Sequence, residues 1–216
     1  MKIFISIFFT SSLLFFGSSQ KDKSLPEEIA HYYGIQQFEK AKSIEFTFHV
    51  TKKGKHIKRK WKWSPKSNQV VFLNDAKSST FIHNNAIGEV QESLDKKFVN
   101  DCYWLLFPYY LVWDKDNYDF RILENVKSPI NNVCSTKLII NYISKEGSSP
   151  NDTYEFYLNK RHEILEWVYR KGGSKIPTKT TTWEQTKSFN DIKISTFHKG
   201  KEGTFKVWFN NIDIEY

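Results

Sequence analysis

The chain has 216 residues, with 32 basic and 24 acidic side chains, a formal net charge of +8, and aromatic residues at 17% of the total. A basic excess of this size favours anionic partners such as phospholipid head groups. The six histidines show no helix-spaced or short-loop ligand pair, and two cysteines are few thiolates for a metal site, so metal chemistry is not expected.

Met1 and Lys2 precede an uncharged apolar run from Ile3 to Phe16, and the small residues Gly17, Ser18 and Ser19 follow it. This order predicts a secretory signal peptide over 1–19, cleaved near Ser19. No cysteine follows the apolar run to accept an N-terminal lipid. Residues 20–216 are expected to form a single domain, delivered to the periplasm. No later segment is both long and apolar enough to span a bilayer; the nearest, Tyr103 to Trp113, is interrupted by Pro108. Export also argues against nucleic acid as the anionic partner.

Leu25-Pro26-Glu27-Glu28 predicts a helix start, because proline suits the first turn and the two acids suit its positive end. The helix is expected to continue to about Ala41. From Ser43 the period becomes two: Ile44, Phe46, Phe48 and Val50 alternate with polar residues, as in a half-buried strand. Lys53-Gly54-Lys55 turns the chain. Ile57, Arg59, Trp61 and Trp63 then share one face, opposite a basic stripe of His56, Lys58, Lys60 and Lys62. Short strands at 69–73 and 79–83 complete a four-stranded meander.

Val90, Leu94, Phe98 and Val99 recur at helical spacing and predict a second helix over 89–100. The segment 100–113 after it is the most apolar of the mature chain and fits neither period. Seven further strands are expected, at 118–123, 137–143, 153–158, 163–170, 178–183, 191–198 and 204–216, separated by turn clusters such as Lys171-Gly172-Gly173-Ser174-Lys175. That loop lacks the glycine–lysine spacing of a phosphate-binding loop. Strands at hairpin distances imply an antiparallel sheet, and a sheet of ten or eleven strands must curl, split or close as its twist accumulates. The expected class is therefore mainly β (α+β): an antiparallel curved sheet or unclosed half-barrel, covered by two helical segments.

The order of these elements resembles the periplasmic lipoprotein-carrier fold of the LolA and LolB type. The features that carry the likeness are the signal peptide, the opening helix followed by Ile44-Glu45-Phe46-Thr47-Phe48, the basic-aromatic hairpin Lys55 to Trp63, and the apolar helical insertion between early and late strands. The stretches 100–108, 152–158 and 172–184 also look like those of exported Bacteroidetes proteins of unassigned function. The carrier resemblance implies a hydrophobic cavity for acyl chains. It also implies an arginine on an early strand that holds a helical lid, a role that falls here to Arg59. Without a lipidation cysteine, the chain is more similar to the soluble carrier than to the anchored acceptor.

The cavity wall expected on this reading comprises Trp61, Trp63, Phe72, Phe81, Trp104, Phe107, Trp113, Trp167 and Trp183, each of which could equally be ordinary core. Cys102 and Cys134 would meet an oxidising compartment, where they could form a disulfide or stay as two free thiols. No nucleophile elbow or acid–base pairing appears. Asp101 beside Cys102 has no evident base partner, so no enzyme activity and no cofactor are expected. The expected function is binding or carriage of a lipid or acylated protein by a monomer, with an anionic membrane surface or an envelope protein as a possible docking partner. The alternative is a non-catalytic protein–protein interaction module whose aromatics fill a dry core.

Overall fold

The computed structural model describes residues 23–73, 78–143, 149 and 151–216. The signal peptide expected over 1–19 lies outside the described residues. The described residues form two antiparallel sheets and three α-helices.

In chain order, α1 (Leu25–Tyr33) and α2 (Ile35–Phe38) precede β1 (Ser43–Lys52), β2 (Lys55–Ser64), β3 (Gln69–Leu73) and β4 (Ser79–Ile82). The helix α3 (Glu89–Trp113) separates these from β5 (Tyr118–Lys127), β6 (Cys134–Tyr142), β7 (Thr153–Leu158), β8 (Ile164–Arg170) and β9 (Lys179–Thr182). The chain ends with β10 (Glu184–Phe189), β11 (Ile192–Lys199) and β12 (Lys206–Glu215). The larger sheet runs β10-β11-β12-β1-β2-β3-β4 and the smaller β5-β6-β7-β8-β9. They touch through a bridge between Thr181 and Gly200, while β4 and β5 stay unpaired with each other. The result is the unclosed, curved antiparallel arrangement expected from the strand spacing.

The helix expected from Pro26 to Ala41 is divided at Gly34. This residue adopts φ +91°, caps α1 in the left-handed region and donates its N–H to the His31 carbonyl at 3.0 Å. A Cβ there would lie 2.2 Å from the Asp191 carbonyl oxygen, so only glycine lets α1 settle against the β10–β11 turn. The strand that the spacing does not predict, β10, carries Glu184-Gln185-Thr186-Lys187-Ser188-Phe189. It has no apolar alternation because it is an edge strand with little to bury.

The second helix is longer than its periodic part. It continues from Asn100 through the aperiodic segment to Trp113, with Pro108 inside it. Residues 101–109 are all buried, and a helix wrapped on every side has no wet face to generate a 3.6-residue pattern. Pro108 forfeits one backbone bond, the one to the Trp104 carbonyl, and the packing of Leu105, Leu106, Phe107 and Tyr109 outweighs it. Tyr109 donates its hydroxyl to the Tyr33 carbonyl at 2.8 Å and thereby joins α3 to α1. Tyr103 and Tyr142 both donate to Asp114 Oδ2, at 3.2 and 2.9 Å, and fasten the end of α3 to β6. Among the described residues no helix is long and apolar enough to cross a membrane.

Candidate functional site

The alternation of β2 points Ile57, Arg59, Trp61 and Trp63 toward α3, and burial deepens from Ile57 to Trp61. Ile57 is 47% exposed, Arg59 half-buried, and Trp61 fully enclosed. The hollow of the curved sheets is therefore open beside Ile57 and filled around Trp61.

The filling is the second half of α3, where Phe107 packs on Tyr154 and Phe156 with ring centroids 4.8 and 4.7 Å apart. The opening is a cleft of about 700 Å³ between residues 95–104 of α3 and both sheets. Phe48 and Val207 form its wall on the larger sheet, Trp167 and Tyr169 on the smaller, and Val99, Tyr103 and Trp104 on α3. A volume of this size lies in the range of small-molecule sites, and the wall is largely apolar and aromatic.

Arg59 joins the sheet to α3 at the inner edge of the cleft. Its Nε and Nη2 donate to Asp101 Oδ2 and Oδ1 at 2.7 and 2.6 Å, a bidentate pair. Trp61 Nε1 donates to the same carboxylate at 2.9 Å and Asn100 Nδ2 at 3.0 Å, so all four contacts converge on one enclosed acid. Burial pushes the Asp101 carboxyl above its ordinary range; the Arg59 guanidinium, foremost among its partners, pulls the other way. The same guanidinium lies 4.7 Å over the Phe48 ring.

Of the nine aromatics expected to form the wall, Trp104 and Trp167 line this cleft, with ring centroids 4.5 Å apart. Trp63 and Trp113 line a second cleft of about 680 Å³, together with Phe38, Phe98 and Tyr110. Trp61, Phe81, Phe107 and Trp183 are buried in the core, and Phe72 packs at 4.9 Å on Trp61. The divergence follows from α3. Once its second half occupies the hollow, most rings that face inward are used in packing.

Cys102 is buried within α3 and Cys134 is exposed at the start of β6; both are free thiols, so no bridge is made. On the outer face of β1, His49 Nδ1 lies 3.1 Å from His56 Nε2, and both rings stack with Trp208. Sequence reading missed Asp101. The signal available was its setting: a carboxylate in the most apolar segment of the chain needs a buried partner.

No protein-family model and no curated protein matches the sequence. Among solved structures, the chain is similar to a LolA superfamily protein from Nitrosomonas europaea, with 9% identity and a TM-score of 0.53 over 89% of this chain and 92% of that one. It is also similar to an outer membrane lipoprotein-sorting protein domain from Vibrio parahaemolyticus, at 12% identity and a TM-score of 0.45 over 86% and 93%. A third, a DUF1329 family protein from Desulfovibrio piger, has 9% identity and a TM-score of 0.48 over 88% and 91%. The likeness to the Nitrosomonas protein is one of fold: the chain has a LolA-like architecture.

Proposed function

We propose that this protein binds a hydrophobic ligand, the acyl chain of a lipid or of an acylated protein, and carries it within the cell envelope without covalent chemistry. The observation that supports this reading is the open cleft of about 700 Å³ between α3 and the sheets, walled by Phe48, Val99, Trp104 and Trp167. Desolvation of these rings and of the chain supplies the driving force, at roughly 25 cal/mol per Å² of apolar surface buried. The Arg59–Asp101 pair holds α3 against β2 and so sets how readily the cleft widens. The LolA-like fold is consistent with a periplasmic carrier. Mass spectrometry of an organic extract from natively purified protein should recover a co-purifying lipid, and delipidated protein should bind a fluorescent fatty-acid probe. A clean extract together with no probe binding overturns the proposal.

One feature favours the alternative of an interaction module. The edge strand β5 leaves Phe120, Ile122 and Leu123 each at least 40% exposed beside a backbone edge that, among the described residues, no strand pairs. Co-purification of a stable envelope partner with an empty lipid extract would select it.

A further inference from the structure

Four cations and two acids line the cleft: Lys52, Arg59, Lys96 and Lys179, with Asp95 and Asp152. Arg59 is committed to Asp101. Both acids are engaged within the fold. Asp95 pairs with His83 Nδ1 at 2.7 Å and accepts the Asn84 N–H at 3.1 Å. Asp152 accepts the Tyr169 hydroxyl at 3.0 Å and the Gly172 N–H at 2.8 Å. Among the described residues, Lys52, Lys96 and Lys179 form no ion pair.

Two of these lysines converge. Lys52 is the last residue of β1 and Lys179 the first of β9, so they approach the cleft from different sheets. The Lys179 ammonium lies 3.7 Å from the centroid of the Phe205 ring, which keeps its charge against an apolar wall. Partial burial, and after it the charge of Lys52, lowers the Lys179 pKa, as expected when a like charge is brought near. The three lysines outnumber the two acids, and a net positive concave surface with low-dielectric walls concentrates anions. We propose that the cleft takes an anionic amphiphile, its carboxylate or phosphate head between Lys52 and Lys179 and its chain along Phe48, Trp104 and Trp167. This inference rests on the apolar-ligand reading and specifies the chemistry of the head.

The test is calorimetric titration of delipidated protein at pH 8 with three ligands that share one C16 chain: palmitate, palmitoyl lysophosphatidate and monopalmitin. The anionic pair is expected to bind at least tenfold more tightly than the neutral glyceride. Whichever anion binds better identifies the head as a carboxylate or a phosphate, and either result supports the inference. In K52Q/K179Q, with its far-UV circular dichroism checked for folding, the affinities for palmitate and monopalmitin should converge. Equal binding of charged and neutral ligands by the wild type, or an undiminished preference in the double variant, overturns the anionic head and leaves apolar binding intact. Failure of all three ligands to bind overturns both readings.

Discussion

His198 is the residue whose setting is least comfortable. Its ring is buried among Trp183, Trp104 and Phe209, at centroid distances of 4.2, 5.5 and 6.2 Å, and neither ring nitrogen has a hydrogen-bond partner among the described residues. The backbone of Thr182 and Trp104 comes close without reaching bonding geometry, and the Trp104 carbonyl is the one that Pro108 deprives of its helical donor. Burial lowers the imidazole from 6.5 to about 3. The folded chain therefore refuses a proton that the unfolded chain accepts below pH 6.5, so this contribution to stability is complete above 6.5 and is lost as pH falls toward 3. At about 1.4 kcal/mol per pH unit, the loss between pH 7.5 and 5 is roughly 2 kcal/mol. His49, also lowered by burial, adds a loss of the same sign. Urea titrations at the two pH values should show this fall. His198→Leu should flatten it and, by removing unpaired buried polar atoms, leave the protein at least as stable at pH 7.5. A pH dependence unchanged by the substitution would count against this account.

Asp101 shows what could not be read one residue at a time. Its carboxylate is explained by Arg59 and Trp61, some forty positions earlier in the chain, and nothing in its neighbours announces them. The face of β2 was legible, because strand alternation alone places Arg59 and Trp61 together. What lay opposite depended on α3 continuing past Asn100.

At the scale of elements, strands whose apolar and polar residues alternate could be read from the sequence, while two elements without that contrast could not. The sequences of β1 and β2 alternate cleanly, with apolar residues on one side and polar ones on the other. The edge strand β10 and the enclosed half of α3 lack that contrast, one for want of anything to bury and the other for want of anything to expose. The joint between α1 and α2 was obscured for another reason: Gly34 is needed by a distant turn and not by its own helix. Gly34→Ala must place a Cβ at positive φ and 2.2 Å from the Asp191 carbonyl oxygen, so one segment has to move. The left-handed conformation alone costs about 1–2 kcal/mol. With the clash added, we expect a loss above about 2 kcal/mol in urea-denaturation free energy. A loss below about 0.5 kcal/mol would show that the α1–α2 joint and the β10–β11 turn are not held against each other.

For the whole molecule, the curved sheets offer more hollow than α3 fills, and where the helix stops filling decides where a ligand can go. Val99, Tyr103 and Trp104, around the middle of α3, face the open cleft, while Leu105, Leu106 and Phe107 beyond them are buried in the core. Val99 is the useful probe because it is half-buried on the cleft wall, takes no part in the Arg59–Asp101 pair, and has open space before it. Val99→Trp should fill part of the cleft, and since the added ring enters space already empty, its cost to stability should stay under about 1 kcal/mol. If the ligand lies along this wall, the affinity for a fluorescent fatty-acid probe should fall at least tenfold, a change of about 1.4 kcal/mol. Trp113→Ala, in the second cleft, should leave the affinity within a factor of two. The opposite pattern, loss of binding in Trp113→Ala and none in Val99→Trp, would move the site to the other end of α3, where Trp63 and Phe38 form the wall.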